Sequence, residues 1–139
     1  MFDRSQNMAK LIQLPKIIDR RGNLSFFENG IQIPFELKRN YWIYDVPGGE
    51  TRGGHAYKSL QEIVIALSGS FDVHVEGQGF NKVYALNRSY KALYLPPGTW
   101  RSLQNFSTNA VCFVGASDLY SEEDYIRDYE QFKSFIQHG

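Results

Sequence analysis

The sequence predicts an all-β fold, an antiparallel sandwich or barrel, carrying one helix at its C-terminal end. Three observations predict it. From Lys10 to Ala116, short apolar runs alternate with Gly, Pro and Asn breakers. No helical periodicity separates those runs, as the repeated strand-and-helix units of a parallel sheet would require. Only the closing stretch "SDLYSEEDYIRDYEQFKSFIQHG" changes to helical spacing.

Taken in order, "NLSFFE" follows the turn-forming "DRRG" and reads as a strand. In "LKRNYWIYDV", Leu37, Arg39, Tyr41 and Ile43 share one face, with Lys38, Asn40, Trp42 and Tyr44 on the other. "QEIVIALSGSFDVHVEG" reads as a hairpin: Ile63, Ile65 and Leu67 lead into Ser68-Gly69-Ser70, and Phe71, Val73 and Val75 return. "FNKVYAL", "KALYLPPGTW", "SLQNF" and "NAVCFVGA" supply further strands. The helix is expected over 121–137, with Tyr125, Tyr129, Phe132 and Ile136 on one face as a packing stripe. Ser121 and Asp124 form its expected capping box, with Glu122 and Glu123 in the first turn, where the helix dipole favours negative charge.

At 139 residues, 42% hydrophobic and 15% aromatic, the chain is expected to form a single domain over 1–139 with a core that needs no disulfide. Its 15 basic and 15 acidic residues cancel, so no global field draws it to nucleic acid or to a membrane. An anionic ligand would have to be met by locally placed arginines. The lone Cys112 lies in an apolar run, reads as a buried small hydrophobe, and suits a reducing compartment. The start "MFDRSQNMAKLIQLPKI" lacks a long apolar stretch and no segment approaches a membrane span, so a soluble cytoplasmic protein is expected.

One constellation carries chemistry. Gly49, His55, Tyr57, Glu62 and Gly69 follow the spacing of the first cupin motif, with Tyr57 where a second His usually stands. In "YKALYLPPGTWRSLQN", Pro96, Gly98 and Asn105 match the second cupin motif, while Tyr90 replaces its leading Gly and Arg101 its His. Two such motifs in order resemble the cupin superfamily and imply a small jelly-roll β-barrel. Carried over by position, the metal-site residues become His55, Tyr57, Glu62 and Arg101. Only His55 and Glu62 are ordinary ligands, and a guanidinium that stays charged repels a cation, so no metal is expected there. A closed apolar core would not retain Arg101 either, because an unpaired buried charge is costly. His55 and Tyr57, two apart on one strand, share a face, and a polar ligand pocket is the expected outcome.

A closer resemblance covers most of the chain. "KIIDRRGNL", "IPFELKRNYWIYDV", "RGGHAYKSLQEIVIALSGS", "LYLPPGTWRSLQNFS" and "VCFVGASDLYSEEDYIRDYEQFKSFI" are similar to the FdtA/QdtA-type, WxcM-like sugar 3,4-ketoisomerases. That resemblance implies a dTDP-linked 4-keto-6-deoxyhexose as substrate, in deoxyaminosugar biosynthesis, and proton transfer through an enediol or enediolate without metal or other cofactor. It implies His55 as the base, Tyr57, Arg101 and Tyr41 as donors to the oxyanion, and Arg39, Arg52 and Lys58 as partners of the diphosphate. Glu62 and Arg21 are expected near the substrate, and Trp100 or Tyr41 as the aromatic that stacks on the base. Arg101 matches the relatives giving gluco products and Arg21 the other type, so the configuration at C4 stays open. A homodimer is implied, with the segment 1–14 as the strand exchanged between protomers. A nucleotide-sugar 3,5-epimerase and a non-catalytic sugar-binding barrel are the alternatives.

Overall fold

The computed structural model describes residues 8–138. The strands are β1 (Lys10–Gln13), β2 (Lys16–Ile17), β3 (Leu24–Ser25), β4 (Arg39–Ile43), β5 (Arg52–Tyr57) and β6 (Glu62–Ser68). They continue with β7 (Phe71–Gly77), β8 (Phe80–Leu86), β9 (Lys91–Leu95), β10 (Trp100–Gln104), β11 (Val111–Ala116) and β12 (Tyr125–Ile126), before helix α1 (Tyr129–His138). Two five-stranded sheets face each other in the order β1-β9-β6-β11-β4 and β12-β5-β10-β7-β8, and β2 and β3 form a separate ribbon. Every pairing is antiparallel, as the short connections require. The result is a small jelly-roll barrel, and no helix among the described residues is long and apolar enough to cross a membrane.

The interior is made by alternate residues of both sheets. Val64, Ala66, Leu93, Leu95, Cys112 and Val114 come from the first, and Phe71, Val73, Val75, Leu86 and Leu103 from the second. Each is at most 6% exposed, which places Cys112 in the core as its apolar run implied. The first sheet is buried on its outer face as well. Ile63, Ile65, Ala92 and Tyr94 pack there against Leu14, Ile33 and Phe35. Double coverage explains why β6 reads "EIVIALS", a continuous apolar run in place of an alternating one.

This corrects the hairpin expected across Ser68-Gly69-Ser70. β6 pairs with β9 and β11, whereas β7 pairs with β8 and β10, so the turn carries the chain from one sheet to the other. The inward residues of β6 are accordingly Glu62, Val64 and Ala66, and Leu67 is half exposed. Gly69, at φ 66°, passes so near Ser107 and Ala110 that a Cβ would lie 2.4 Å from Ser107 Oγ. The crossing is then tied by Ser70 N donating to Ser107 Oγ (2.8 Å) and Ser107 N to Ser70 O (2.9 Å). A true hairpin forms one strand later, where β7 returns as β8 around Gln78-Gly79.

The C-terminal helix is shorter than the expected 121–137. Residues Glu122–Asp124 form a single 3-10 turn without a side-chain cap at Ser121, and Tyr125–Ile126 is a strand on the edge of β5. The physical reason is Asp124. Its carboxylate accepts from Ser59 N (3.0 Å), Ser59 Oγ (2.7 Å) and Leu60 N (3.0 Å), and so caps the turn after β5 instead of its own helix. From Tyr129 the helix lies on the outer face of the second sheet, with Phe132 fully buried against Ala56 and Ile126, and Trp100, Phe135 and Ile136 around it.

Candidate active site

One end of the barrel is not filled. A cavity of about 560 Å³ is lined by residues including Arg39, Tyr41, Arg52, His55, Tyr57, Glu62, Arg101, Tyr125 and Arg127. A neighbouring recess of about 310 Å³ shares Arg39, Tyr57 and Tyr125 with it.

β5 delivers His55 and Tyr57. Before them, Gly53 and Gly54 take φ of 95° and 79°, and the register with β10 slips so that Arg101 opposes His55 while Ser102 opposes Gly53. This bulge needs glycine: a Cβ on Gly53 would lie 3.1 Å from Ser102 Cα and 3.2 Å from Arg101 O. Its consequence is that His55, Tyr57 and Arg101 point into the same space.

Arg101 and Glu62 are both almost fully buried and form an ion pair through Arg101 Nη1 and Glu62 Oε1. Arg101 Nε and Nη2 donate to Thr99 O at 3.2 and 3.1 Å. Tyr41 Oη donates to the other Glu62 oxygen at 3.0 Å, so its proton is committed to the carboxylate. Burial, then the Glu62 charge, push the Tyr41 hydroxyl far above the usual phenol range. Burial and Glu62 likewise raise Tyr57 well above it.

His55 is different in kind. Its ring lies 5.0 Å from the Tyr57 ring and 5.2 Å from that of Tyr125, and its buried Nε2 has no hydrogen-bond partner. Burial first, then the Arg101 and Arg127 charges, push its pKa down to about 3. The imidazole is therefore neutral at physiological pH, with an open lone pair or N–H inside a cavity.

The donor set does not suit a divalent metal. Glu62 already serves Arg101 and Tyr41, a permanent cation stands where a third ligand would be needed, and no three His, Cys, Asp or Glu side chains gather among the described residues. The site's chemistry is that of a proton acceptor surrounded by fixed donors and positive charge.

Of the residues expected from sequence, His55, Tyr57, Arg101, Tyr41, Arg39, Arg52 and Glu62 line this cavity. Three do not. Trp100 sits one residue before Arg101 and so faces outward, packing on Tyr129 and Phe132 under the helix. Lys58, past the end of β5, lines a separate recess beside Gln131 and Phe135. Arg21 is exposed in the β2–β3 turn, where Asp19 accepts from its guanidinium at 2.9 and 3.1 Å. His74, on β7, is hydrogen-bonded to Gln104 on the opposite side of its sheet from the core.

Two side chains of the cavity are absent from the sequence-derived set, Tyr125 and Arg127. Tyr125 pairs in register with Tyr57, and the two rings are 4.6 Å apart. Arg127 lies 4.1 Å over the Tyr125 ring and is held by Glu122, Nε to Oε1 at 2.7 Å and Nη2 to Oε2 at 2.9 Å. The signal is present in "DYIRD": Tyr125, Ile126 and Arg127 alternate polar-apolar-polar as a half-buried strand does.

A double-sheet barrel with two modified cupin motifs and a cavity lined by arginines and tyrosines defines a cupin that lacks the motif's usual ligand set. The family model described as FdtA: WxcM-like, C-terminal, matches residues 7–137, and the chain belongs to that family. It is 41% identical over 127 residues to the TDP-4-oxo-6-deoxy-α-D-glucose-3,4-oxoisomerase of Aneurinibacillus thermoaerophilus, covering 91% of each chain. Among solved structures it resembles the QdtA 3,4-ketoisomerase of Thermoanaerobacterium thermosaccharolyticum bound to TDP (TM-score 0.90, 36% identity, 93% of this chain and 94% of that one). It also resembles the WlaRB TDP-quinovose 3,4-ketoisomerase of Campylobacter jejuni (TM-score 0.85, 40% identity, 89% and 95%). A dTDP-4-dehydrorhamnose 3,5-epimerase of Bacillus anthracis, at 16% identity and TM-score 0.73, shares the fold alone.

Proposed function

We propose that the protein is a sugar 3,4-ketoisomerase that converts TDP-4-keto-6-deoxyglucose to the 3-keto isomer, in deoxyaminosugar biosynthesis. The observation that carries this reading is His55. In a chain of this family, it is a neutral imidazole with an unpartnered Nε2 inside a cavity that also holds the Arg101 guanidinium and the Tyr57 and Tyr125 hydroxyls.

The diphosphate lies against Arg39, Arg52 and Arg127, the arginines of the cavity that are not tied to Glu62. His55 takes the C3 proton, acidified by the C4 ketone, and the resulting negative charge develops on O4. Arg101 stabilises that charge without reorganising, because Glu62 and Thr99 O already hold it. His55, its proton exchanged with solvent, then protonates C4, and the ketone is left at C3. Tyr41 and Glu62 act behind Arg101, setting its position, with the Tyr41 hydroxyl directed to Glu62 and away from substrate.

The depressed His55 pKa has a consequence for this step. Part of the depression comes from Arg127. A bound diphosphate adds negative charge near that guanidinium and raises His55 toward neutrality, where a general base works best.

The protein acts as a cytoplasmic homodimer in this reading. Support comes from the exposed Ile17, Ile18 and Leu24 on the β2–β3 ribbon and from the single buried thiol. Of the segment 1–14 proposed for exchange, residues 1–7 lie outside those described, and β1 here pairs with β9 of its own chain. Light scattering at micromolar concentration returns a dimer mass if this is correct, and a monomer mass counts against it.

Incubation with TDP-4-keto-6-deoxyglucose in heavy water, read by NMR, tests the activity. Deuterium at C4 with the ketone at C3 is the expected result. Exchange at C3 and C5 without movement of the ketone would make the protein a 3,5-epimerase, and absence of both exchange and ketone movement would make it a binding protein.

A further inference from the structure

A 3,4-ketoisomerase, the reading on which this inference rests, must make two proton movements. One hydrogen leaves C3 and one arrives at C4; His55 carries that exchange. A second hydrogen must leave the C3 hydroxyl and one must arrive on O4, because the old carbonyl becomes an alcohol as the old alcohol becomes a carbonyl. His55 is occupied with carbon while this happens, so another group must serve the oxygens.

The cavity restricts the choice. Arg101 does not release a proton at any relevant pH. The Tyr41 proton is committed to Glu62 Oε2. Thr51 is exposed at the rim, before the first residue of β5. Two hydroxyls remain, those of Tyr57 and Tyr125. They line the cavity together, and Tyr57 Oη donates to Tyr125 Oη at 3.1 Å.

We infer that Tyr57 and Tyr125 form a two-phenol relay that carries the oxygen-bound proton from O3 to O4 of the sugar. The O3–H bond breaks as Tyr57 Oη accepts its proton, Tyr57 gives its own proton to Tyr125 Oη, and Tyr125 gives its own to O4. Each phenol loses one O–H bond and gains one, so both end neutral and no further acid or base is consumed. The spacing of the two phenol oxygens is comparable to that of two neighbouring oxygens on a sugar ring, so the four can close a ring of hydrogen bonds. Passing the proton on in one motion avoids a free phenolate, which burial and Glu62 make costly at Tyr57.

The fold holds this pair in register. Tyr125 and Tyr57 are direct cross-strand partners, and each ring is covered by a guanidinium, Arg127 at 4.1 Å and Arg101 at 5.0 Å. The strand that supplies Tyr125 is anchored by Asp124 to Ser59 and Leu60. The relay also gives a reason for Tyr57 at the position of the motif's second His. An imidazole has a donor and an acceptor nitrogen and can exchange a proton alone; one phenol oxygen does this less well, and a second phenol supplies the missing half.

The test uses Y57F, Y125F, the double variant Y57F/Y125F, and Y57H with and without Y125F. Both Phe changes keep the ring and remove only the hydroxyl; thermal melting confirms the fold. Expected are falls in kcat of about 10- to 100-fold for each single variant with KM within about threefold, and a double variant no slower than the slower single. In heavy water, Y125F should exchange the C3 hydrogen of recovered substrate faster relative to product formation than wild type does. In the Y57H background, Y125F should cost less than about threefold. Wild-type kcat in Y125F, or single-variant losses that multiply in the double, overturns the relay alone. A wild-type protein that forms no 3-keto product overturns the relay together with the ketoisomerase reading.

Discussion

The two halves of the barrel interior are built on the same strands and differ in almost every physical respect. β10 places Arg101 in the cavity wall and Leu103 where the cavity meets the packed core; β6 begins inward with Glu62 and continues with Val64, at the same boundary, and Ala66. The closed half is packed by Phe71, Val73, Leu86 and Cys112, each at most 2% exposed. There the thiol is pushed up to about 12 by burial and is chemically inert. The open half holds an ion pair, three aromatic hydroxyls and a neutral imidazole. The difference teaches that stability and chemistry are divided by position along the strands, and not by strand.

That division can be broken from either side. The largest effect is expected for His55→Asn, which keeps volume and polarity but loses the base: ketoisomerase kcat should fall at least about 10³-fold, equivalent to about 4 kcal/mol in the barrier, with little change in melting temperature. Phe71→Ala addresses the closed half. It should cost about 3–5 kcal/mol in denaturant unfolding, while the folded fraction keeps its kcat. An equal loss of activity per folded molecule would show that the two halves are not separable.

Glu62→Gln sharpens the boundary between them. It leaves the Arg101 charge buried and unpaired, so stability should fall by about 3 kcal/mol and kcat should fall too, whereas the two preceding variants each lose only one property. The smallest effect is on the pH dependence of folding. His55 is held at about 3 in the folded state and returns to about 6.5 on unfolding. Above pH 6.5 both states are neutral and nothing is lost; below it the unfolded chain takes up the proton and folding weakens until about pH 3. At pH 5.5 the penalty is at most about 1.5 kcal/mol. Urea titrations at pH 7.5 and 5.5 should show it in the wild type and not in His55→Asn, and TDP should reduce it by raising the folded-state pKa.

Much of this architecture is legible in the sequence, and the misses share a cause. The alternation of β4, the strand content and the common face of His55 and Tyr57 are local consequences of a two-residue period. The Gly69 turn reads as a hairpin because a tight turn between two apolar strands looks the same whether they pair with each other or with different sheets. The helix reads too long, over 121–137, because Asp124 has capping chemistry but spends it on Ser59 and Leu60, far away in sequence. Trp100 reads as a ligand contact because its local sequence does not show the helix that covers it; alternation with Arg101 turns it outward, where Tyr129 and Phe132 of α1 pack on it.

By itself the sequence determined which segments are strands, that Arg101 could not be a metal ligand, and that a polar pocket had to exist to accommodate it, since side-chain chemistry and backbone alternation are properties of single residues and their neighbours. Only the tertiary structure decided that Glu62 neutralises Arg101, that Tyr41 belongs to that pair, and that Tyr125 stands opposite Tyr57. Those are contacts between residues tens of positions apart, and the strand pairing that creates them is selected by the burial of the whole core and not by any segment alone.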